Sequence, residues 1–207
     1  MILYENEEVL AAAKPAGQPS IPGRGAIGRP LQQELERKLR QKIFVVHRLD
    51  RDASGLIVFA KTAGAHKRLC AQFEDRKAKK VYLAAVLGKV EKGGSVDGPL
   101  REFGSGRSAV SAQGKPSLTK YLPKKWGPKA TLLQVEPKTG RRHQIRAHLY
   151  SLGHPILGDR MYGQDRPVGG APRLMLHALS LTLDGLPVMT CPPPPDFEEG
   201  LKRFELF

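Results

Sequence analysis

The chain has 207 residues, enough for one domain, or one domain in two lobes, with a sizeable buried core. Lys and Arg number 34 against 20 acidic residues, a formal net charge of +14 that speaks of partners and not of fold. Nucleic acid is the first candidate, because neutralising phosphates supplies most non-specific affinity; an anionic membrane surface is the second, and a merely solvated basic surface the plain alternative. No apolar stretch reaches the ~20 residues that span a bilayer. The start, Met1-Ile2-Leu3-Tyr4-Glu5-Asn6-Glu7-Glu8, lacks the basic and then apolar order of a signal peptide. Cys70 and Cys191 belong to no CxxC or Cys/His pattern, which argues against a disulfide framework and a zinc site. The chain reads as soluble and cytoplasmic.

Ile2-Leu3-Tyr4 and the run from Glu8 to Lys14 read as short strands, followed by a Pro/Gly loop from Pro15 to Gly28. Pro30 opens a helix with Leu31, Leu35 and Leu39 on one face. Two apolar runs, Ile43-Phe44-Val45-Val46 and Leu56-Ile57-Val58-Phe59-Ala60, read as buried strands joined by a turn that uses Ser54-Gly55. Thr62 fits the N-cap of a helix to about Arg76, with Ala65, Leu69 and Phe73 facing inward. Lys77 to Leu87 is a basic lead-in to a strand, and Glu91 to Arg107 reads as a Gly-rich loop. Ser108 to Gln113, Ser117 to Leu122 and Ala130 to Val135 are further strands. A turn at Gly140 leads into a short helix with Ile145, Leu149 and Leu152 buried and Gly153 as its stop. Gly163 to Pro172 is a loop, Leu174 to Leu183 a last long strand, and the prolines from Pro192 to Pro195 precede a terminal helix. Strands and helices without regular alternation predict an α+β fold: a single domain over residues 1–207 around a mostly antiparallel mixed sheet flanked by helices.

The charged segment from His47 to Asp52 is surplus to what a turn requires. Asp50 lies between Arg48 and Arg51 and next to apolar runs that would desolvate it, and a buried carboxylate stays ionised only beside a cation. It is the candidate nucleophile or general base, with an ion-paired turn aspartate as the plain alternative. Arg48, Arg141, Arg142 and Arg146 are the available cations. Arg142 and Arg146, four apart, could share one helix face, and either could serve only as a phosphate contact. Tyr82, in an aliphatic strand beside Lys79 and Lys80, is either a sheet tyrosine or a platform for an unstacked base. Trp126, among lysines 124, 125 and 129, poses the same choice. His47, His143, His148, His154 and His177 show no metal spacing and no carboxylate cluster, so they read as structural or RNA-contacting, and no metal is expected.

Taken together, these segments resemble the RluA family of RNA pseudouridine synthases. His47-Arg48-Leu49-Asp50 through Ser54-Gly55-Leu56 is similar to that family's HRLDxxTSG segment, and Lys80-Val81-Tyr82-Leu83-Ala84 to its KxYxA segment. Gly140-Arg141-Arg142-His143-Gln144-Ile145-Arg146-Ala147-His148, with Leu152 to Asp159 and Tyr162-Gly163, is similar to its GRxHQIRxH…LGHPIxGDxxYG block. Lys14-Pro15-Ala16-Gly17 and Leu176-His177-Ala178 add to it, all in the family's order. The resemblance implies that Asp50 is the catalytic aspartate and Arg146 its ion-pair partner. It further implies that Tyr82 stacks on the target uracil and helps handle the C5 proton, and that Arg48 helps eject the target nucleotide by filling its place. RNA-binding roles fall to His47, Arg48, Lys79, Lys80, Arg141, Arg142 and His143. Ala53 stands where Thr is usual, and Arg142 replaces a smaller residue. With only 46 residues before His47, no separate S4-type RNA-binding domain is expected.

The implied reaction breaks the uridine N1–C1′ bond, turns the uracil and joins C5 to C1′. It is an isomerisation that needs no cofactor, in keeping with a sequence that has no P-loop or dinucleotide fingerprint. The expected partner is structured ribosomal or transfer RNA, with no membrane or protein partner and a monomeric chain. Specificity is assigned to the loops Pro15 to Gly28, Gly93 to Gly114 and Gly163 to Pro172. The rival readings are a non-catalytic RNA-binding or ribosome-assembly protein on the same fold, and an aspartate-dependent nuclease or glycosidase. The second lacks the paired or clustered carboxylates such chemistry uses.

Overall fold

The computed structural model describes residues 1–23, 28–163 and 167–207. Stretches 24–27 and 164–166, inside the loops expected over 15–28 and 163–172, lie outside the described residues. In chain order the elements are β1 (Ile2–Glu5), β2 (Val9–Lys14), α1 (Leu31–Leu39), β3 (Phe44–Val45), β4 (Ser54–Ala60) and α2 (Ala63–Glu74). There follow β5 (Lys79–Leu87), β6 (Gly94–Asp97), β7 (Leu100–Glu102), β8 (Ser108–Val110), β9 (Leu118–Trp126), β10 (Ala130–Pro137) and α3 (Gln144–Ser151). After a 3-10 turn at Val168–Gly170 come β11 (Leu176–Thr182), β12 (Met189–Thr190) and α4 (Pro195–Arg203). The mixture is α+β, as expected. The chain divides into two compact units, Met1–Lys80 with Ala178–Pro192, and Val81–His177 with Pro193–Phe207.

In the first unit β2 lies between β1 and β4, antiparallel to both, with Val9 opposite Ala60 and Lys14 opposite Gly55. Every residue of β4 is buried, so the apolar run needs cover on both faces and finds it. Leu56, Val58 and Ala60 point to a core shared with Val9 and Ala11 of β2, Ala65 and Leu69 of α2, and Leu181, Met189 and Cys191. Thr62 caps α2 by accepting the Ala65 N–H at 3.2 Å. Helix α1 buries Leu31 and Leu35, as its i, i+4 pattern requires.

Two sequence expectations change around the charged segment. The run from Ile43 to Val46 is not a buried strand: only Phe44 and Val45 pair with β4, and Phe44 is 37% exposed, because β3 is too short to be covered on both faces. Ser54 and Gly55 do not form the turn but begin β4. The turn closes earlier, through the Ala53 N–H to the Asp50 carbonyl at 3.2 Å. Gly55 is in the sheet for steric reasons. Its φ is +116°, and a Cβ there would sit 2.3 Å from the Ala178 carbonyl oxygen.

In the second unit β10 is central, antiparallel to β5 on one side and β9 on the other, with Val135 opposite Tyr82 and Tyr121. The Gly-rich run expected as a loop over 91–107 instead supplies β6, paired with β9, and β7, paired with β8 in a hairpin. Glycine content hid strands whose order comes from backbone pairing with β9 and β8, a partner local sequence does not reveal. β8 is shorter than expected and β9 longer, running to Trp126. In α3, Ile145 and Leu149 are buried, but Leu152 is 39% exposed because it is the C-cap and no longer on the helix face. Gly153 follows with φ +80°, the left-handed stop the sequence called for.

Replacing Gly55 with Ala forces a Cβ into the Ala178 backbone at a φ that L residues avoid, so the variant should lose about 2 kcal/mol or more of stability. Urea unfolding checks this; an unchanged midpoint would mean the backbone at Gly55 is freer than its contacts indicate.

Candidate active site

Asp50, Arg48, His47, Lys79 and Lys80 lie in the first unit; Tyr82, Arg141, Arg142, His143 and Arg146 lie in the second. Asp50 is half-buried on the turn before β4, with Leu49 buried on one side and Ala53 on the other. The backbone of this turn is gripped from the 14–20 loop. The Ser20 hydroxyl donates to the Leu49 carbonyl at 3.0 Å and accepts the Leu49 N–H at 3.1 Å. The Gly17 N–H donates to the Arg51 carbonyl at 2.9 Å. Lys14 is 1% exposed, and its ammonium donates to the carbonyls of Pro15, Gln18 and Arg51 at 2.7–2.8 Å. A lysine is seldom fully buried, because its charge must be desolvated; here carbonyl dipoles converge on it in place of water. The sequence signal for Lys14 was the Lys-Pro-Ala-Gly segment; its task of bracing the Asp50 turn was not legible there.

Just before the turn, His47 Nε2 accepts the Val58 N–H at 3.0 Å, and its ring stacks on Phe73 at 4.8 Å between centroids. An imidazole that accepts through Nε2 is neutral, with its proton on Nδ1. Burial, reinforced by the nearby Lys80 ammonium, pushes its pKa down to about 3. Arg48 is exposed, as is Lys79, while Lys80 is half-buried. Arg51 pairs with Asp52 at the surface at 3.1 Å, a geometry worth little in stability.

In the second unit, His143 occupies the N-cap of α3 with φ +53°, a left-handed conformation uncommon for a side chain with a Cβ. This bend places Arg142 before the helix and Arg146 within it, so the two do not share a helix face. Arg142 is exposed and paired with Glu102 of β7. Arg146 is buried and held by Asp159 through two parallel bonds, Nε to Oδ2 at 2.7 Å and Nη2 to Oδ1 at 2.9 Å. The Tyr162 ring lies 5.3 Å from the Arg146 guanidinium carbon and 6.4 Å from the His143 ring. Asp159 and Tyr162 were visible as part of a sequence block, but nothing in their spacing announced that they hold Arg146.

The start of α3 is fixed by a buried neutral chain of hydrogen bonds. Gln144 Oε1 accepts the Arg141 N–H at 3.0 Å and the Thr139 hydroxyl at 2.6 Å, and Gln144 Nε2 donates to Thr119 Oγ1 and the Leu118 carbonyl, both at 3.0 Å. His148 Nε2 donates to the Gly98 carbonyl at 2.8 Å, so its Nδ1 is left to accept the Thr119 hydroxyl, also at 2.8 Å. Burial pushes the His148 pKa below its ordinary value. Gln144 was expected only as a member of the motif and His148 as structural or RNA-contacting; here they tie the helix to β9 and to the loop before β7.

Tyr82 is half-buried on β5. Trp126 is 50% exposed, with its indole N–H donating to the Val90 carbonyl at 2.8 Å, so its ring is both accessible and fixed. Arg141, Lys124, Lys125 and Lys129 are exposed. Among the described residues no group of three or more His, Cys, Asp or Glu side chains could hold a metal ion, and no helix is long and apolar enough to cross a membrane.

The fold is that of pseudouridylate synthases. The structure titled Human RNA Pseudouridylate Synthase Domain Containing 4 superposes with a TM-score of 0.84 at 25% identity, covering 99% of this chain and 92% of that one. Human RNA Pseudouridylate Synthase Domain Containing 1 gives 0.78 at 29% identity, covering 94% and 83%. Residues 8–151 match the model of the RNA pseudouridylate synthase family, and the chain belongs to that family. Among its relatives, the Dual-specificity RNA pseudouridine synthase RluA of Vibrio cholerae is 40% identical over 189 residues, 87% of this chain and 75% of that protein. The protein of the same name from Escherichia coli is 38% identical over 188 residues, 88% and 86%. The Ribosomal large subunit pseudouridine synthase D of Nitrosomonas europaea is 41% identical over 196 residues, which is 88% of this chain but only 57% of that protein.

His47 gives the fold a pH dependence of definite sign. Its folded pKa lies below the ordinary 6.5, so the unfolded chain takes up the proton first. The stability its neutral form contributes is complete above pH 6.5 and is lost as pH falls toward about 3. Thermal unfolding of His47→Gln, which keeps an acceptor for the Val58 N–H, should show a shallower loss of Tm below pH 6.5 than the parent chain. Equal slopes would remove His47 as the source.

Proposed function

We propose that the chain isomerises uridine to pseudouridine in ribosomal or transfer RNA, acting in the cytoplasm as a monomer, with residues 1–207 as one catalytic domain and Asp50 as its catalytic carboxylate. The observation that carries this reading is the family match over residues 8–151, a span that includes Asp50, Tyr82 and Arg146. The names of the relatives, which refer to the large ribosomal subunit and to dual specificity on RNA, support the substrate class. The net charge of +14 suits a polyanion.

In this reading the braced turn presents Asp50 to the ribose. The carboxylate either adds to C1′ or removes a ribose proton to give a glycal. In the first route the N1–C1′ bond breaks as the carboxylate adds, and the C1′–carboxylate bond breaks as the turned uracil attacks through C5. In the second the C2′ proton leaves as N1–C1′ breaks and returns to C2′ as C5 bonds to C1′. In both, C5 then loses its proton and N1 gains one. Arg146 supplies the positive charge that keeps Asp50 ionised when RNA excludes water; an unpaired carboxylate in a dry site would protonate and lose its nucleophilicity. Tyr82 stacks on the uracil, repaying ~1–3 kcal/mol of the cost of unstacking it, and its hydroxyl helps handle the C5 proton. Arg48 fills the space the nucleotide leaves. Arg141, Arg142, His143, Lys79 and Lys80 engage the RNA, Arg142 by exchanging its exposed Glu102 partner for a phosphate. His47 enters as a neutral ring that fixes the chain leading into Arg48. Because the product is an isomer of the substrate, the reaction has no net redox change and consumes no co-substrate.

Tritium release from RNA labelled at uracil C5 tests the roles. Asp50→Asn should abolish release while RNA binding, followed by filter retention, stays within about twofold of the parent, since the change removes one charge from a cationic surface. Turnover by that variant would remove Asp50 from the mechanism. Tyr82→Phe keeps the stacking ring, so it should bind RNA normally and lose rate; unchanged kinetics would show that the hydroxyl takes no part.

A further inference from the structure

The second unit contains a buried cluster whose parts have no role in the reading above, and all of them converge on Arg146. Asp159 is fully buried and engages Arg146 with both oxygens, Oδ1 accepting also the Tyr162 N–H at 3.1 Å. Tyr162 is 3% exposed. Its hydroxyl donates to the Ser108 carbonyl at 2.7 Å and accepts the Ser108 N–H at 3.2 Å, which locks it to β8. The ring packs with Leu100 of β7 and Ala147 of α3, and Arg107 of the hairpin lies 4.6 Å from its centre. Gly158 sets Asp159 in place: a Cβ there would stand 1.7 Å from the Arg173 carbonyl oxygen, so the chain before Asp159 has one path.

We propose that Asp159 and Tyr162 are positioning residues that fix the plane and direction of the Arg146 guanidinium, and that the β7–β8 hairpin, keyed to the Tyr162 hydroxyl, holds that seat rigid. The inference rests on the reading that Arg146 serves the isomerisation. A buried ion pair is poor evidence for stability, because apolar residues of equal volume often do as well. What a bidentate carboxylate gives that they cannot is orientation. It grips the Nε–Nη2 edge, so the Nη1 side of the guanidinium points in one direction. The Tyr162 ring, within cation–π range, limits rotation about the remaining axis. Tyr162 therefore touches Arg146 twice, through its ring and through Asp159, and is itself anchored from the hairpin. Misplacing a group by about 1 Å can cost a hundredfold in rate, which is reason enough for so much buried apparatus around one side chain.

Two variants of the full chain and two readouts test this. In nitrogen-15 NMR the Arg146 Nε–H should give a slowly exchanging resonance in the parent; it should be lost in Asp159→Asn and shifted in Tyr162→Phe. On labelled RNA, both variants should lower kcat, Asp159→Asn by about tenfold to a hundredfold and Tyr162→Phe by less, with KM within about twofold of the parent. A merely structural role would lower Tm and leave the kcat of the folded fraction unchanged, and that result, or an Arg146 resonance indifferent to Asp159→Asn, would overturn the proposal. If Asp159→Asn fails to fold, Tyr162→Phe, which keeps the ring and removes only the two Ser108 bonds, decides it alone. If the parent shows no turnover, the proposed function fails, but the resonance still tells whether Asp159 and Tyr162 position Arg146.

Discussion

A carboxylate on a surface turn can serve chemistry only if the turn does not move, and in this chain that constraint is met by the 14–20 loop. The Lys14 ammonium and the Gly17 N–H both reach the Arg51 carbonyl, and the Ser20 hydroxyl holds both polar groups of Leu49. Asp50 is thus bracketed by residues whose backbone is bonded to a neighbouring segment. Lys14 can be buried because the loop curls its own carbonyls, those of Pro15 and Gln18, onto the ammonium. The loop and the turn are folded by the same cation, so order in one is order in the other. Gly55, pressed against Ala178, sets the strand that leaves the turn, and His47 bonds that strand from the segment that enters it.

The second unit solves a similar problem with different chemistry. Its helix α3 starts at a left-handed histidine and is secured by a chain of neutral donors and acceptors through Thr139, Gln144, Thr119 and His148. Neutral groups suit that place, since a helix start buried against a sheet needs its polar atoms satisfied without the desolvation of a charge. Among the described residues of this unit, Arg146 and Asp159 are buried charges, and they are paired with each other. Arg142, by contrast, is exposed and paired at the surface with Glu102.

Much of this was legible in the sequence. The Thr62 cap, the leucine face of α1 and the strands β2, β4, β5 and β10 follow from local patterns, because each is stabilised by residues close in sequence or by a continuous apolar run. The elements that were missed, β6, β7 and β12, are short and owe their order to pairing with β9, β8 and β11, not to an apolar run of their own. The Ser-Gly pair was misread as a turn because its steric partner, Ala178, is more than a hundred residues away. The same divide separates the candidate residues. Asp50, Tyr82 and Arg146 stand out by type and context, whereas Lys14, Asp159, Tyr162 and Thr119 gain their tasks only from contacts made in three dimensions. Arg142 looked like a helical neighbour of Arg146, and it took one residue at φ +53° to part them.

The central claim is that this chain, unaided by any cofactor, converts uridine to its carbon-linked isomer. The most direct measurement is to incubate unmodified transcripts of ribosomal and transfer RNA with the purified chain, digest the RNA to nucleosides and separate them by chromatography. The account predicts pseudouridine at the expense of an equal amount of uridine, with the RNA chain intact. No pseudouridine from either RNA despite tight binding, or free uracil in its place, would contradict it.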